Sequence, residues 1–118
     1  MTELVACLTT GKGSWTEVAK LIAGENWEKV YLITNDFGKE KFDAPENVEM
    51  IVVDPNKSVD KLRDDIILGL KEKINGTEVA VNLISGSGNE HMALFGALIK
   101  LGVGLRLVSV SEKGIEEV

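Results

Sequence analysis

Five apolar runs of strand length constrain this chain more than any other feature: Leu4–Leu8, Val30–Thr34, Met50–Val53, Val79–Ile84 and Leu105–Val110. Each is rich in Val, Ile and Leu and does not alternate strictly with polar residues, as strands covered on both faces of a sheet require. Helical patterns separate most of them. The first, Ser14 to Ala23, opens on Ser14-Trp15-Thr16-Glu17, which reads as a capping box. The next, Ser58 to Ile74, sets Val59, Leu62, Ile66, Ile67, Leu70 and Ile74 at helical spacing and stops at Asn75-Gly76. The last, Asn89 to Leu101, is apolar almost all round, so burial on more than one side is expected, part of it against a second subunit. Asp36–Glu49 holds Gly38 and Pro45 without a clear period and reads as a loop. The acidic tail, Ser111 to Val118, reads as loosely held.

Strands alternating with helices imply parallel pairing, and right-handed crossovers leave few topologies. The expected fold is α/β: a Rossmann-like, doubly wound, mainly parallel five-stranded sheet of order 3-2-1-4-5 with helices on both faces. The 118 residues fit one domain, 1–118, and 44% of them are apolar, enough for a core without disulfides or a structural metal. A net charge of −6 argues against a protein that coats long nucleic acid by counterion release. No run approaches the roughly 18 apolar residues of a membrane span, and no signal peptide is legible at the start. Cys7, the only cysteine, sits in an apolar run and reads as a small core hydrophobe, which together with its solitude suggests a reducing cytoplasmic setting.

Ligands of doubly wound sheets bind beyond the carboxyl ends of the strands, where strand order reverses. In the order 3-2-1-4-5 that point lies between the first and fourth strands. The turn after the first is Thr9-Thr10-Gly11-Lys12-Gly13-Ser14; the turn after the fourth is Ser85-Gly86-Ser87-Gly88-Asn89. Glycine admits close approach and positive φ, and each turn feeds a helix whose first amides lack internal partners. The hydroxyls of Thr9, Thr10, Ser14, Ser85 and Ser87 are read as further donors, and Lys12 brings a full charge. The expected ligand is a phosphate or another small anion. A Walker loop is excluded by spacing, and the dinucleotide fingerprint stops after its second glycine, although Asp36 stands where a ribose-binding acid would. No metal-ligand set, cofactor motif or Ser-His-Asp arrangement is evident. His91, the only histidine, falls in the first turn of the last helix, either to orient a phosphate or move a proton, or as a helix-start residue without chemistry. Glu90 reads as a solvated helix-start acid, with a general base as the alternative.

At these turns the sequence resembles the CARF domains, the CRISPR-associated Rossmann-fold sensors. An apolar strand, a Thr/Gly turn and, after a helix, Lys29-Val-Tyr-Leu-Ile-Thr-Asn35 look like the opening half of that family. Val81-Asn-Leu-Ile-Ser-Gly-Ser-Gly-Asn89, followed by His-Met-Ala-Leu-Phe-Gly-Ala-Leu, resembles its second signature. The resemblance implies a homodimer that binds a cyclic oligoadenylate across its two-fold axis in type III CRISPR antiviral signalling. It places Thr10 to Ser14 and Ser85 to Asn89 on the ribose-phosphate ring and Asn35 near an adenine. Thr9 and Met92 complete the expected binding set. It also leaves ring-nuclease activity open: a metal-independent attack of a ribose 2′-hydroxyl on the adjacent phosphate, with Lys12 and His91 as the catalytic candidates. The chain departs from the family at the frequent lysine of the second turn, where Asn89 and then Glu90 stand. An isolated sensor of this kind could be a ring nuclease, a ligand sink or part of a larger protein. Two other classes stay open: a nucleotide- or dinucleotide-binding protein using Asp36, and a regulatory subunit that docks through its last helix.

Overall fold

In the computed structural model residues 2–9 and 12–118 are described, without the Lys12 side chain. The strands are β1 (Glu3–Leu8), β2 (Lys29–Thr34), β3 (Val48–Val52), β4 (Glu78–Asn82), β5 (Gly104–Ser111) and β6 (Gly114–Glu117). The helices are α1 (Trp15–Ala23, entered through a 3-10 turn at Lys12–Ser14), α2 (Asp36–Lys41), α3 (Val59–Leu70) and α4 (Gly88–Lys100). One six-stranded sheet runs β3-β2-β1-β4-β5-β6, parallel except where β6 pairs antiparallel with β5. The expected order therefore stands in its first five positions, and a sixth strand is added.

Burial explains why the strands lack polar alternation. Val5, Cys7, Tyr31, Ile33, Val79 and Val81 face α3 and α4, whose Leu62, Ile66, Leu70, Ala93, Leu94, Ala97 and Leu98 close one core. Leu4, Ala6, Leu8, Val30, Leu32 and Ala80 face the other way, against Val18, Leu21 and Ile22 of α1 and against Trp27. Successive residues of a strand point to opposite faces, so a doubly covered strand must be apolar at every position. Each large side chain that is fully buried contributes about 1.5–3 kcal/mol. At the amino end of the sheet, buried Glu3 accepts hydrogen bonds from the backbone amides of Asn75 (2.9 Å) and Gly76 (2.8 Å), fixing the connection that leaves α3.

Four local expectations are corrected. Asp36–Glu49 is not all loop: α2 forms there, with the Asn35 side chain accepting from the Gly38 amide at 2.9 Å. Gly38, within this helix, is buried against Thr34 and the Leu8 carbonyl, and the position needs glycine because a Cβ would overlap Thr34 Oγ1 and meet the Leu8 carbonyl at 2.9 Å. The capping box at Ser14 does not form: Ser14 is itself helical (φ −89°, ψ −8°), as the 3-10 turn requires, and makes no side-chain cap. α3 ends at Leu70 rather than Ile74, and Glu72 takes a positive φ of 65° in the connection beyond it. The acidic tail is not loosely held. Gly114 (φ +107°) lets the chain reverse, Ile115 packs on the core and Arg106 meets Glu117 at 3.1 Å, which together make β6.

α4 buries only one side in this single chain. Ala93, Leu94, Ala97 and Leu98 face the sheet, whereas Met92 and Ile99 are 65% and 68% exposed. No helix among the described residues is long and apolar enough to cross a membrane.

Candidate functional site

Parallel pairing of β1 with both β2 and β4 brings the carboxyl ends of these strands to one edge. The chain leaves β1 through Thr9, leaves β2 through Asn35 and leaves β4 toward Ser85. Hydrogen bonds join these three exits. Thr34 Oγ1 donates to the Leu8 carbonyl at 2.6 Å, and Asn35 Nδ2 donates to the Thr9 carbonyl at 3.4 Å. Thr9 Oγ1 donates to Glu90 Oε2, reaching from the β1 turn to the first turn of α4. The turns that the sequence singled out are thus physically connected, at the point where strand order reverses.

The β4 turn has its own architecture. Gly86 takes φ +99°, and a Cβ there would stand 3.0 Å from Glu90 Oε2, 3.1 Å from His91 Nε2 and 3.1 Å from Cys7 Cβ. Only glycine meets both demands without strain. Ser87 is the N-cap of α4: its Oγ accepts from the Glu90 amide at 3.3 Å and donates to Glu90 Oε1 at 3.2 Å. A cap of this kind satisfies one of the orphan amides of the helix start. His91 Nε2 lies 2.8 Å from the Ser85 carbonyl. A carbonyl only accepts, so Nε2 carries the proton and Nδ1 is left as the other polar atom of the ring. Ser85 is 1% exposed, and its hydroxyl has no partner among the described residues.

Glu90, read from the sequence as a solvated helix-start acid, is instead buried. It is only 2% exposed and stands between Thr9 and Ser87. Its signal was present as the fourth residue of Ser87-Gly88-Asn89-Glu90, a capping-box spacing at the start of a helix. Cys7 lies beneath this turn, 0% exposed, and its thiol is pushed up to about 12, chiefly by burial and further by the negative charge of Glu90. A thiol held neutral this way is no nucleophile near neutral pH.

Other expected residues divide by surroundings. Gly13 and Gly88 have open space where a Cβ would be, and both are exposed. Asn89 Nδ2 donates to the Lys57 carbonyl at 3.5 Å, and Met92 is exposed one turn further along α4. Ser14 closes the 3-10 turn. Thr10, Gly11 and the Lys12 side chain lie outside the described residues. Beside the β4 turn a mainly apolar cavity of about 280 Å³ opens between the ends of β4 and β5, lined by Leu83, Ile84, Leu107 and Val118 among others. Among the described residues no three His, Cys, Asp or Glu side chains gather as a metal site.

Fold and site together define a mostly parallel α/β protein with helices on both faces of the sheet and two hydrogen-bonded, glycine-containing turns at its reversal point. A scan against protein-family models matches none, and a search of curated proteins finds no similar sequence.

Proposed function

We propose that this chain is a CARF-like domain that binds a cyclic oligoadenylate across the two-fold axis of a homodimer. The observation that carries the reading is the union of the two turns at the switch point, Thr9 joined to Glu90 and Ser87 capping a 13-residue helix. Unpaired amides at the start of such a helix favour a phosphate, and open space over Gly13 and Gly88 leaves room for one. Lys12 is the cation of the β1 turn. With the Asn35 amide engaged at Gly38 and Thr9, the apolar cavity past Ile84 is the better seat for an adenine.

Cleavage, if the domain performs it, runs by in-line attack of a ribose 2′-oxygen on the neighbouring phosphorus. The 2′-proton leaves, the 5′-oxygen departs and takes up a proton, and a cyclic phosphate remains. His91 Nδ1 is the titratable atom available for such a transfer, because Nε2 is held by Ser85. Lys12 would stabilise the charge developing on phosphate.

Calorimetric titration with cyclic tetra- and hexa-adenylate, followed by chromatography of the incubated mixture, tests this. One ring bound per two chains is expected, and linear products would add ring-nuclease activity. Absence of binding to either ring would overturn the reading and direct attention to mononucleotides and phosphorylated metabolites.

A further inference from the structure

Two hydroxyls of the site have their protons committed. A serine or threonine hydroxyl carries one proton and two lone pairs, and a carboxylate only accepts. Thr9 donates its proton to Glu90 Oε2, and Ser87 donates its own to Glu90 Oε1 at 3.2 Å. Neither can then donate to a phosphate, contrary to the role that a hydroxyl-rich turn suggests. Both are only half-buried, whereas Glu90 is 2% exposed behind them. A ligand therefore meets hydroxyl oxygens backed by a buried negative charge, which makes them better acceptors.

Resting on the cyclic oligoadenylate reading, we infer that Glu90 is a specificity-determining positioning residue that turns Thr9 and Ser87 into acceptors for ribose hydroxyls. A hydroxyl chain runs from ligand O–H to Thr9 Oγ1 and on to Glu90. A ligand with ribose 2′-hydroxyls completes this chain; a 2′-deoxy ligand leaves a lone pair unmet in a desolvated contact. The arrangement also reconciles an acidic side chain with a phosphate site. Amides at the start of α4 serve the phosphate, and the carboxylate acts through its two hydroxyls on the sugar. Glu90 itself need not touch the ligand.

The test is calorimetry with cyclic tetra- and hexa-adenylate and their all-2′-deoxy counterparts, on the parent, Glu90→Gln, Thr9→Val and Thr9→Ser. The parent is expected to prefer the ribose ring by about tenfold or more. In Glu90→Gln the amide nitrogen must donate to one of the two hydroxyls, so that a hydroxyl proton swings outward and the preference falls toward unity. Thr9→Val should lose affinity for the ribose ring while holding its affinity for the deoxy ring, and Thr9→Ser should restore the preference. Thermal melts establish that each variant is folded, and the Thr9 pair carries the test if Glu90→Gln does not fold. Equal binding of both rings by the parent would overturn this inference and leave the sensor reading standing. A preference unchanged by Glu90→Gln or by Thr9→Val would also overturn it, because the discrimination would then arise elsewhere. Binding of neither ring would remove the reading and this inference with it.

Discussion

Gly86 concentrates the constraints of the site in one residue. Its φ of +99° is left-handed, and a Cβ there would press on Glu90, His91 and Cys7. Gly86→Ala is expected to cost about 1–3 kcal/mol in urea unfolding and to weaken ring binding, because relieving the overlap displaces Glu90. Gly88→Ala, where a Cβ meets nothing within 4 Å, should unfold within roughly 0.5 kcal/mol of the parent. A Gly86→Ala protein as stable as Gly88→Ala would show that the turn relaxes freely. Cys7 provides a second check at this scale, through pH. Its thiol ionises at about 12 in the fold against 9.0 ordinarily. Above pH 9 the unfolded chain therefore binds fewer protons than the folded one, and stability falls with rising pH. The contribution is fully present below pH 9 and declines by up to about 1.4 kcal/mol per pH unit as pH approaches 12. Cys7→Ala starts less stable because of the lost packing, but its stability should decline less steeply between pH 9 and 11. Parallel slopes from urea midpoints across that range would contradict the burial argument.

Among the elements, α2 shows what a sequence hides. Its six residues contain a central glycine, which is poor helix material, and nothing in Asp36–Glu49 has a helical period. Tertiary contact supplies the reason: the glycine lets the helix lie on Thr34 and the Leu8 carbonyl. β6 was hidden differently, since Gly-Ile-Glu-Glu carries one apolar residue and becomes a strand by pairing with β5. The parallel strands, α1, α3 and α4 were legible because burial on both faces writes an apolar run and helical burial writes a period. The two turns were legible through glycine and hydroxyl content, whereas Glu90 was not: whether a helix-start acid is solvated or buried depends on what the neighbouring strand brings to it. Asn35 tests how far α2 supports the site. Asn35→Ala should cost about 1 kcal/mol through loss of the cap on Gly38 and should loosen the Thr9 carbonyl as well. Asn35→Asp keeps the capping oxygen and removes only the donor to Thr9. If ring affinity falls equally in both while stability falls only in the alanine variant, the tie to Thr9 is what α2 contributes to binding.

On the scale of the whole molecule, β1, β2 and β4 are buried on both faces of the sheet, yet α4 keeps Met92 and Ile99 in solvent with half-buried Phe95 between them. At i, i+3 and i+7 these three make one stripe, on the helix whose N-terminus enters the candidate site. A two-fold related copy packed on that stripe with the two α4 helices parallel would bring two such N-termini toward one axis, which is the geometry that a ring-shaped anion shared by two chains demands. The proposed dimer therefore predicts coupling between assembly and binding. Sedimentation of the parent should give a dimer, and Met92→Glu combined with Ile99→Glu should give a monomer. Since both side chains are mostly exposed within one chain, the double variant should melt close to the parent's monomer and keep its helical circular dichroism. Ring affinity should fall by far more than the melting temperature, because each monomer retains only half of the site. A double variant that is monomeric and still binds one ring per chain with the parent's affinity would place the whole site within a single domain. A parent that sediments as a monomer both alone and with ring bound would show that the stripe on α4 serves something other than self-association.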